Sequence, residues 1–245
     1  MSAELPSAAG GPPSSGGLAW LRLLQLASPT LPIGAFAYSQ GLEAAVTAGL
    51  VVDEGSAAAW ILGLLEGPFA GQDLAIFARL HAAHAARDLD GAERWNAFLF
   101  ASRSTAELQT EDRQLGAALG RVLSTLEIAE APKTGADPDA EPTPRSPATL
   151  ASQFARAAAA FGIGVRAAAE TFAFTWAEAQ ASAAVRLVPL GQSAGVRIVA
   201  RAAEIIPPAV DRALALADDD IAGAAPGLAG LSALHETQYS RLFRS

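Results

Sequence analysis

The sequence predicts an all-α protein: a single helical-bundle domain of roughly ten helices joined by short Pro/Gly turns. Three observations carry that expectation. Alanine, leucine and arginine are abundant while period-two runs of Val, Ile, Thr and aromatic residues are scarce, so local preference favours helix nearly throughout. An apolar stripe at helical spacing follows Gly164. Pro and Gly punctuate the chain where one helix must end and the next begin. With 245 residues, 51% of them hydrophobic, the chain is long and apolar enough to bury a sizeable core.

Residues 1–17 are rich in Pro, Gly, Ser and Ala, lack the basic start and apolar run of a secretory signal, and read as a flexible leader. A first helix is expected from about Leu18 to Ala27. A turn at Ser28-Pro29-Thr30-Leu31-Pro32 follows, then a helix from about Phe36 to Ala48 that Gly49 ends. The run from Leu23 to Leu42 carries no charge and has the length of a membrane span, but Pro29 and Pro32 interrupt it among several polar residues. It is expected to be a helix–turn–helix of a soluble core. Further helices are expected over 55–66, 71–87 and 91–102.

Ser104 and Glu107 have capping-box spacing and should start a helix running to about Leu126. Residues 131–147 hold five prolines and several acidic residues, which predicts a mobile loop between two helical halves. Ser146-Pro147 should then open a helix with proline at its first position. In the helix after Gly164, Val165, Phe172, Trp176, Ala179, Ala183 and Leu187 fall within an arc of roughly 80°, with Arg166, Glu170, Glu178 and Arg186 outside it. Phe174, among those charges, reads as a loosely buried aromatic or, failing that, a second contact surface. Pro189 ends this helix, another runs from about Gly191 to Ile206, and Pro207-Pro208 should open one more up to Leu216. Asp218-Asp219-Asp220, an Ala/Gly/Pro stretch and a polar C-terminal segment complete the chain.

A formal net charge of −8 argues against nucleic acid or anionic lipid as partners. With no cysteine, disulfide scaffolds, thiolate metal sites and cysteine nucleophiles are excluded, and a reducing, cytoplasmic location is expected. His81 and His84 have a spacing that can place two imidazoles on one metal, but no third ligand accompanies them, so they read as surface or satisfied core residues. No Gly-rich phosphate loop, nucleophile elbow or His-Glu-x-x-His run occurs. The acidic residues Glu107, Glu111 and Asp112 read as solvated charge on a capped helix rather than as an acid–base pair. No catalytic residue, metal ligand or cofactor is therefore nominated, and the protein is expected not to be an enzyme.

Three stretches are unlike generic helical filler. Leu31-Pro32-Ile33-Gly34-Ala35-Phe36-Ala37-Tyr38-Ser39-Gln40-Gly41-Leu42-Glu43 builds a fixed corner that presents Phe36, Tyr38 and Ser39 at a helix start. Pro189-Leu190-Gly191-Gln192 makes a tight helix–helix joint. The C-terminal His235-Glu236-Thr237-Gln238-Tyr239-Ser240-Arg241-Leu242-Phe243-Arg244 mixes aromatic residues and arginine as protein interfaces do. Together with Glu107-Leu108-Gln109-Thr110-Glu111-Asp112-Arg113-Gln114-Leu115-Gly116, these stretches resemble the F-type urease accessory proteins, the UreF family, over residues 18–245. Where relatives often carry a second glutamine after the Gly-Gln-x-x-Gly run, this chain has Val196.

The resemblance implies an all-helical homodimer that makes no covalent chemistry of its own. Such a chaperone binds the D-type (also called H-type) accessory protein, UreD or UreH, and recruits the G-type GTPase, UreG, which delivers nickel to the urease apoprotein. It nominates as partner-binding Pro32, Gly34, Phe36, Tyr38, Ser39 and Glu43 of the corner, Gly191 and Gln192 of the joint, and His235, Glu236, Tyr239, Ser240, Arg241, Leu242, Phe243 and Arg244 of the tail at 232–245. The tail, mobile alone, should order when a partner binds. Arg241 is expected to pack against the corner around Phe36 and Tyr38. Two other classes remain open: a regulator of the partner's GTP hydrolysis using Arg241 or Arg244 in trans, and a stand-alone ligand binder with its pocket near the Pro-Gly corner.

Overall fold

Among its described residues, 17–128 and 146–245, the computed structural model holds α-helix, short 3₁₀ turns and one π-helical segment, with no strand. The fold class is all-α. The leader and nearly all of the 131–147 loop lie outside the described residues. In chain order the helices are α1 (Gly17–Ala27), α2 (Leu42–Thr47), α3 (Glu54–Leu64), α4 (Ala75–Ala86), α5 (Leu89–Ala101), α6 (Ala106–Thr125), α7 (Leu150–Ala160), α8 (Val165–Leu187), α9 (Gln192–Ala215) and α10 (Pro226–Glu236).

Helix α8 is the axis of the bundle. Its alanines, including Ala168, Ala169, Ala173, Ala177, Ala181 and Ala184, are buried on more than one side, and their small volume lets neighbours approach closely. α9 packs along its length, with α1, α3, α4 and α7 around it. Phe172 and Trp176 from the predicted stripe enter a stack of rings: Trp176 on Phe69 at 4.7 Å, Phe69 on Phe172 at 5.7 Å, and Phe172 on Phe77 at 5.0 Å between centroids. Offset rings of this kind add to the burial of their own apolar surface. Phe174 is half-buried against the core, as expected.

Two predicted breaks are absent. The Gly67-Pro68 step does not separate two helices. Instead a π-helical segment, Leu65–Leu74, carries Pro68 inside it and joins α3 to α4 in one helical course from Glu54 to Ala86. The wider turn accommodates a residue that cannot donate an amide. Likewise Pro207 and Pro208 do not open a helix but lie within α9. Both face solvent, where the carbonyls they leave unpaired can bond water, while Ile198, Ala202, Ile206, Ala209, Val210 and Ala213 continue one buried stripe through them. The Glu54–Ala86 course is long and apolar enough to cross a membrane by length and composition, and 56% of its most apolar window is buried inside the bundle. The uncharged run from Leu23 to Leu42 is, as predicted, broken into helix, turn and 3₁₀ turn.

Three further boundaries are corrected. The expected helix from Phe36 to Ala48 is a 3₁₀ turn, Ala35–Ala37, followed by α2 after Gly41, whose φ of 77° ends helical geometry there. α6 is capped by Thr105, whose side chain accepts from the Leu108 amide, not by a Ser104–Glu107 box. α7 starts at Leu150 rather than at Pro147. Thr149 caps it, Asp112 Oδ1 accepts from the Leu150 amide at 3.1 Å, and Asn96 holds Pro147 O and the Thr149 amide.

Candidate functional site

The corner and the C-terminal segment form one joined structure around three carboxylates. Glu43, at the start of α2 and 6% exposed, accepts the Leu242 amide at 2.7 Å through Oε1 and the Phe243 amide at 2.8 Å through Oε2. Its Oε2 also faces His235 Nε2 at 3.2 Å. His235, fully buried on α10, turns its Nδ1 to Glu107 Oε2 at 2.8 Å, and Glu107 Oε1 accepts from Arg241 at 2.6 Å. The imidazole bridges the two carboxylates, one at each ring nitrogen. Glu107 thus belongs to the tail's seat rather than to a helix cap.

The last residues then run against the corner. Arg244 N donates to Ala37 O at 2.9 Å, and Ser39 N donates to Ser245 O at 2.8 Å. Phe243 is 4% exposed, with the Arg186 guanidinium 5.2 Å from its ring centroid. Ser245 Oγ donates to Glu111 Oε2 at 2.8 Å, while Gln40 bridges inward, giving Nε2 to Glu111 Oε1 at 2.7 Å and taking Trp176 Nε1 at 2.8 Å. Burial pushes the Glu111 carboxyl up to about 7, against the lowering effect of its bonds from Gln40 and Ser245. Glu111 and Asp112 are 5% and 6% exposed, so the reading of this helix as solvated charge is overturned. Asp112 and Asp73 share Arg103 at 2.7 and 2.6 Å, an ion triad that ties α6 to the π segment.

Most of the nominated residues meet here, in unequal roles. Tyr38 and Ser39 are buried, with Tyr38 donating to Gln114 Oε1. Phe36 is half-buried, whereas Pro32 and Gly34 are exposed and shape the turn, Gly34 with φ 81°. Glu236 accepts the Glu107 amide at 3.1 Å. Tyr239 and Leu242 are exposed. Ser240 O receives Gln238 Nε2, and the Arg244 side chain is exposed. Gly191 and Gln192 begin α9 at the surface and make no hydrogen bond to corner or tail among the described residues.

Two tail expectations are corrected. Arg241 pairs with Glu107 and not with Phe36 or Tyr38, because a carboxylate is a stronger partner for a guanidinium than a ring. The tail, expected to be mobile until a partner binds, is already seated in the single chain, where Glu43 accepts the Leu242 and Phe243 amides. Residues missed by sequence reasoning are Gln40, Glu107, Glu111, Arg186 and Ser245. Gln40, Glu107 and Glu111 lie inside the corner and helix motifs, and the pairing of an acid-bearing helix with an amide-rich tail is the available signal. His81 is a satisfied core histidine, its Nε2 2.8 Å from Ile163 O, and burial together with nearby Arg156 and His81 lowers His84 to about 4. No group of three metal-ligating side chains occurs among the described residues.

The chain is 46% identical, over 94% of its length and 97% of the relative's, to the urease accessory protein UreF of Alkalilimnicola ehrlichii. It belongs to the UreF family of urease accessory proteins. A UreF family model matches residues 51–203, from the strap after α2 into α9. The UreF of Pseudomonas putida W619 is 45% identical over 93% of this chain and 98% of its own. That of Chromohalobacter salexigens is 45% identical over 93% of this chain and 95% of its own. UreF membership makes this an accessory protein of urease rather than its catalytic subunit, in keeping with a centre of carboxylates that hold a tail.

Proposed function

We propose that this UreF-family chain is a cytoplasmic, non-enzymatic adaptor in urease maturation. As a homodimer it binds the D-type accessory protein and, with it, recruits the G-type GTPase that carries nickel to the urease apoprotein. Nickel is cargo of that assembly, and no resident metal is assigned to this chain. The observation that supports the reading is the division of labour within the tail. Phe243 and Ser245 anchor it in the corner, while Tyr239 and Leu242 remain 105% and 59% exposed on either side of Arg241. Exposed aromatic and apolar groups on an anchored backbone, flanked by arginine, are what a protein partner can bury at low ordering cost.

The test is a pull-down of the full chain on the D-type protein, followed by addition of the GTPase. Tyr239→Ala and Leu242→Ala touch no core, so their folding stability should stay at wild type while capture weakens tenfold or more. Wild-type capture by both variants would place the partner surface elsewhere. A regulatory reading has one observation in its favour: the Arg244 side chain is exposed and makes no ion pair among the described residues. If it acts in trans, Arg244→Ala should lower single-turnover GTP hydrolysis by the recruited GTPase without loosening the complex.

A further inference from the structure

Behind the corner lies a cavity of about 160 Å³, bounded by the corner itself, the π segment, α6 and α8. A void of roughly that size holds a single aromatic ring. Its apolar walls include Phe69, Phe172, Trp176, Leu64 and Leu115. Its polar lining is one-sided: Asp73, Asp112, Glu111 and Glu178 against the one cation Arg103. Both acidic partners of Arg103 are already committed to it, so Glu111 and Glu178 have no full countercharge there.

A second observation is independent of charge. Gln180, on α8, lines the same cavity and is 2% exposed, yet its side-chain amide forms no hydrogen bond among the described residues, and its Oε1 is buried without a partner. A buried amide left unpaired is destabilised relative to a paired one, so a group that supplies its missing donor gains on entry. Ring faces, surplus carboxylate and a waiting acceptor all favour the same chemistry.

We infer that this cavity binds a small organic cation, an ammonium head on an apolar or aromatic stem, with the head at Gln180 in the field of the lining carboxylates and the stem among Phe69, Phe172 and Trp176. The direction of the carboxyl shifts agrees: burial raises Asp73 and Glu178 above their ordinary values and Glu111 to about 7, so added positive charge stabilises all three in ionised form. The inference rests on the cavity alone and stands or falls independently of partner recruitment, because the full chain by itself is titrated.

The experiment titrates the full chain with benzylammonium, and in parallel with toluene and benzoate, following binding by calorimetry and amide NMR shifts. Expected is saturable binding of benzylammonium, at least tenfold tighter than toluene, with no binding of benzoate. Gln180→Met keeps the volume and removes the unpaired amide, so it should raise the melting temperature while weakening benzylammonium about tenfold. Glu178→Gln, on a half-exposed side chain, should weaken benzylammonium and leave toluene unchanged. The inference is overturned if the folded wild-type chain shows no saturable benzylammonium binding, if toluene binds as tightly, or if both variants bind benzylammonium as wild type does.

Discussion

Replacing Glu43 by alanine should release the C-terminal segment without unfolding the bundle. The two amides of Leu242 and Phe243 end 2.7 and 2.8 Å from its carboxylate oxygens, and hydrogen bonds to a charged group contribute about 1.5 kcal/mol or more each. Loss of both costs about 3 kcal/mol, or roughly a hundredfold in the equilibrium between seated and released tail. Besides these two amides, the segment beyond α10 is held by the burial of Phe243, worth about 1.5–3 kcal/mol, by the Arg241–Glu107 pair, by the Ser245 hydroxyl on Glu111, and by the backbone contacts of Arg244 and Ser245 with Ala37 and Ser39. Hydrogen–deuterium exchange read by mass spectrometry on a peptide covering 237–245 should therefore accelerate about a hundredfold in Glu43→Ala, while peptides from α4 and α8 keep wild-type protection. Glu43→Gln, which retains one acceptor oxygen, should fall between the two. Unchanged exchange at Leu242 and Phe243 in Glu43→Ala would refute the assignment of Glu43 as the tail's latch.

Three further outcomes follow from the same geometry. Glu111 binds its proton more tightly folded than unfolded, so its stabilising share is present below the ordinary carboxylate value of 4.5 and is lost as pH rises through about 7. Glu111→Gln can still accept from Gln40 and donate to Ser245, and urea titrations at pH 4 and pH 8 should show the wild type losing roughly 3 kcal/mol more than this variant over that window. Gly116→Ala drives a methyl into Ala148 O where α6 meets the segment entering α7, and should lower the urea midpoint by an amount equivalent to about 2 kcal/mol or more. Arg103→Leu leaves Asp73 and Asp112 buried without countercharge, and thermal unfolding should report a loss of about 3–5 kcal/mol, partly recovered by Asp73→Asn.

What the sequence makes legible and what it hides have a common physical origin. Helix type, the Pro-Gly corner and the aromatic-rich tail depend on residues near one another in the chain, and all three stand where spacing places them. The breaks expected at Pro68 and at Pro207-Pro208 rest on the lost amide alone. They fail because buried stripes continue on both sides of each proline and the cost falls on exposed or widened turns. A local rule yields when tertiary burial on either side is worth more than one hydrogen bond.

The carboxylates show the converse. Glu43, Glu107 and Glu111 sit at ordinary solvent-facing positions by any count of helix spacing, and Glu107 has the offset of a cap. Each is drawn inward, Glu43 and Glu111 fully and Glu107 in part, because a distant segment brings donors to it: Leu242 and Phe243 to Glu43, His235 and Arg241 to Glu107, Ser245 and Gln40 to Glu111. Glu43 and Phe243 are 200 residues apart, and Glu107 and Arg241 are 134. A carboxylate enters the interior only with its hydrogen bonds supplied, so the three acids and the tail that satisfies them are fixed together or not at all. Taking away the segment beyond α10 would leave Glu43 and Glu107 with His235 as their shared partner. A partner that grips Tyr239 and Leu242 therefore acts on the one segment whose position these acids determine.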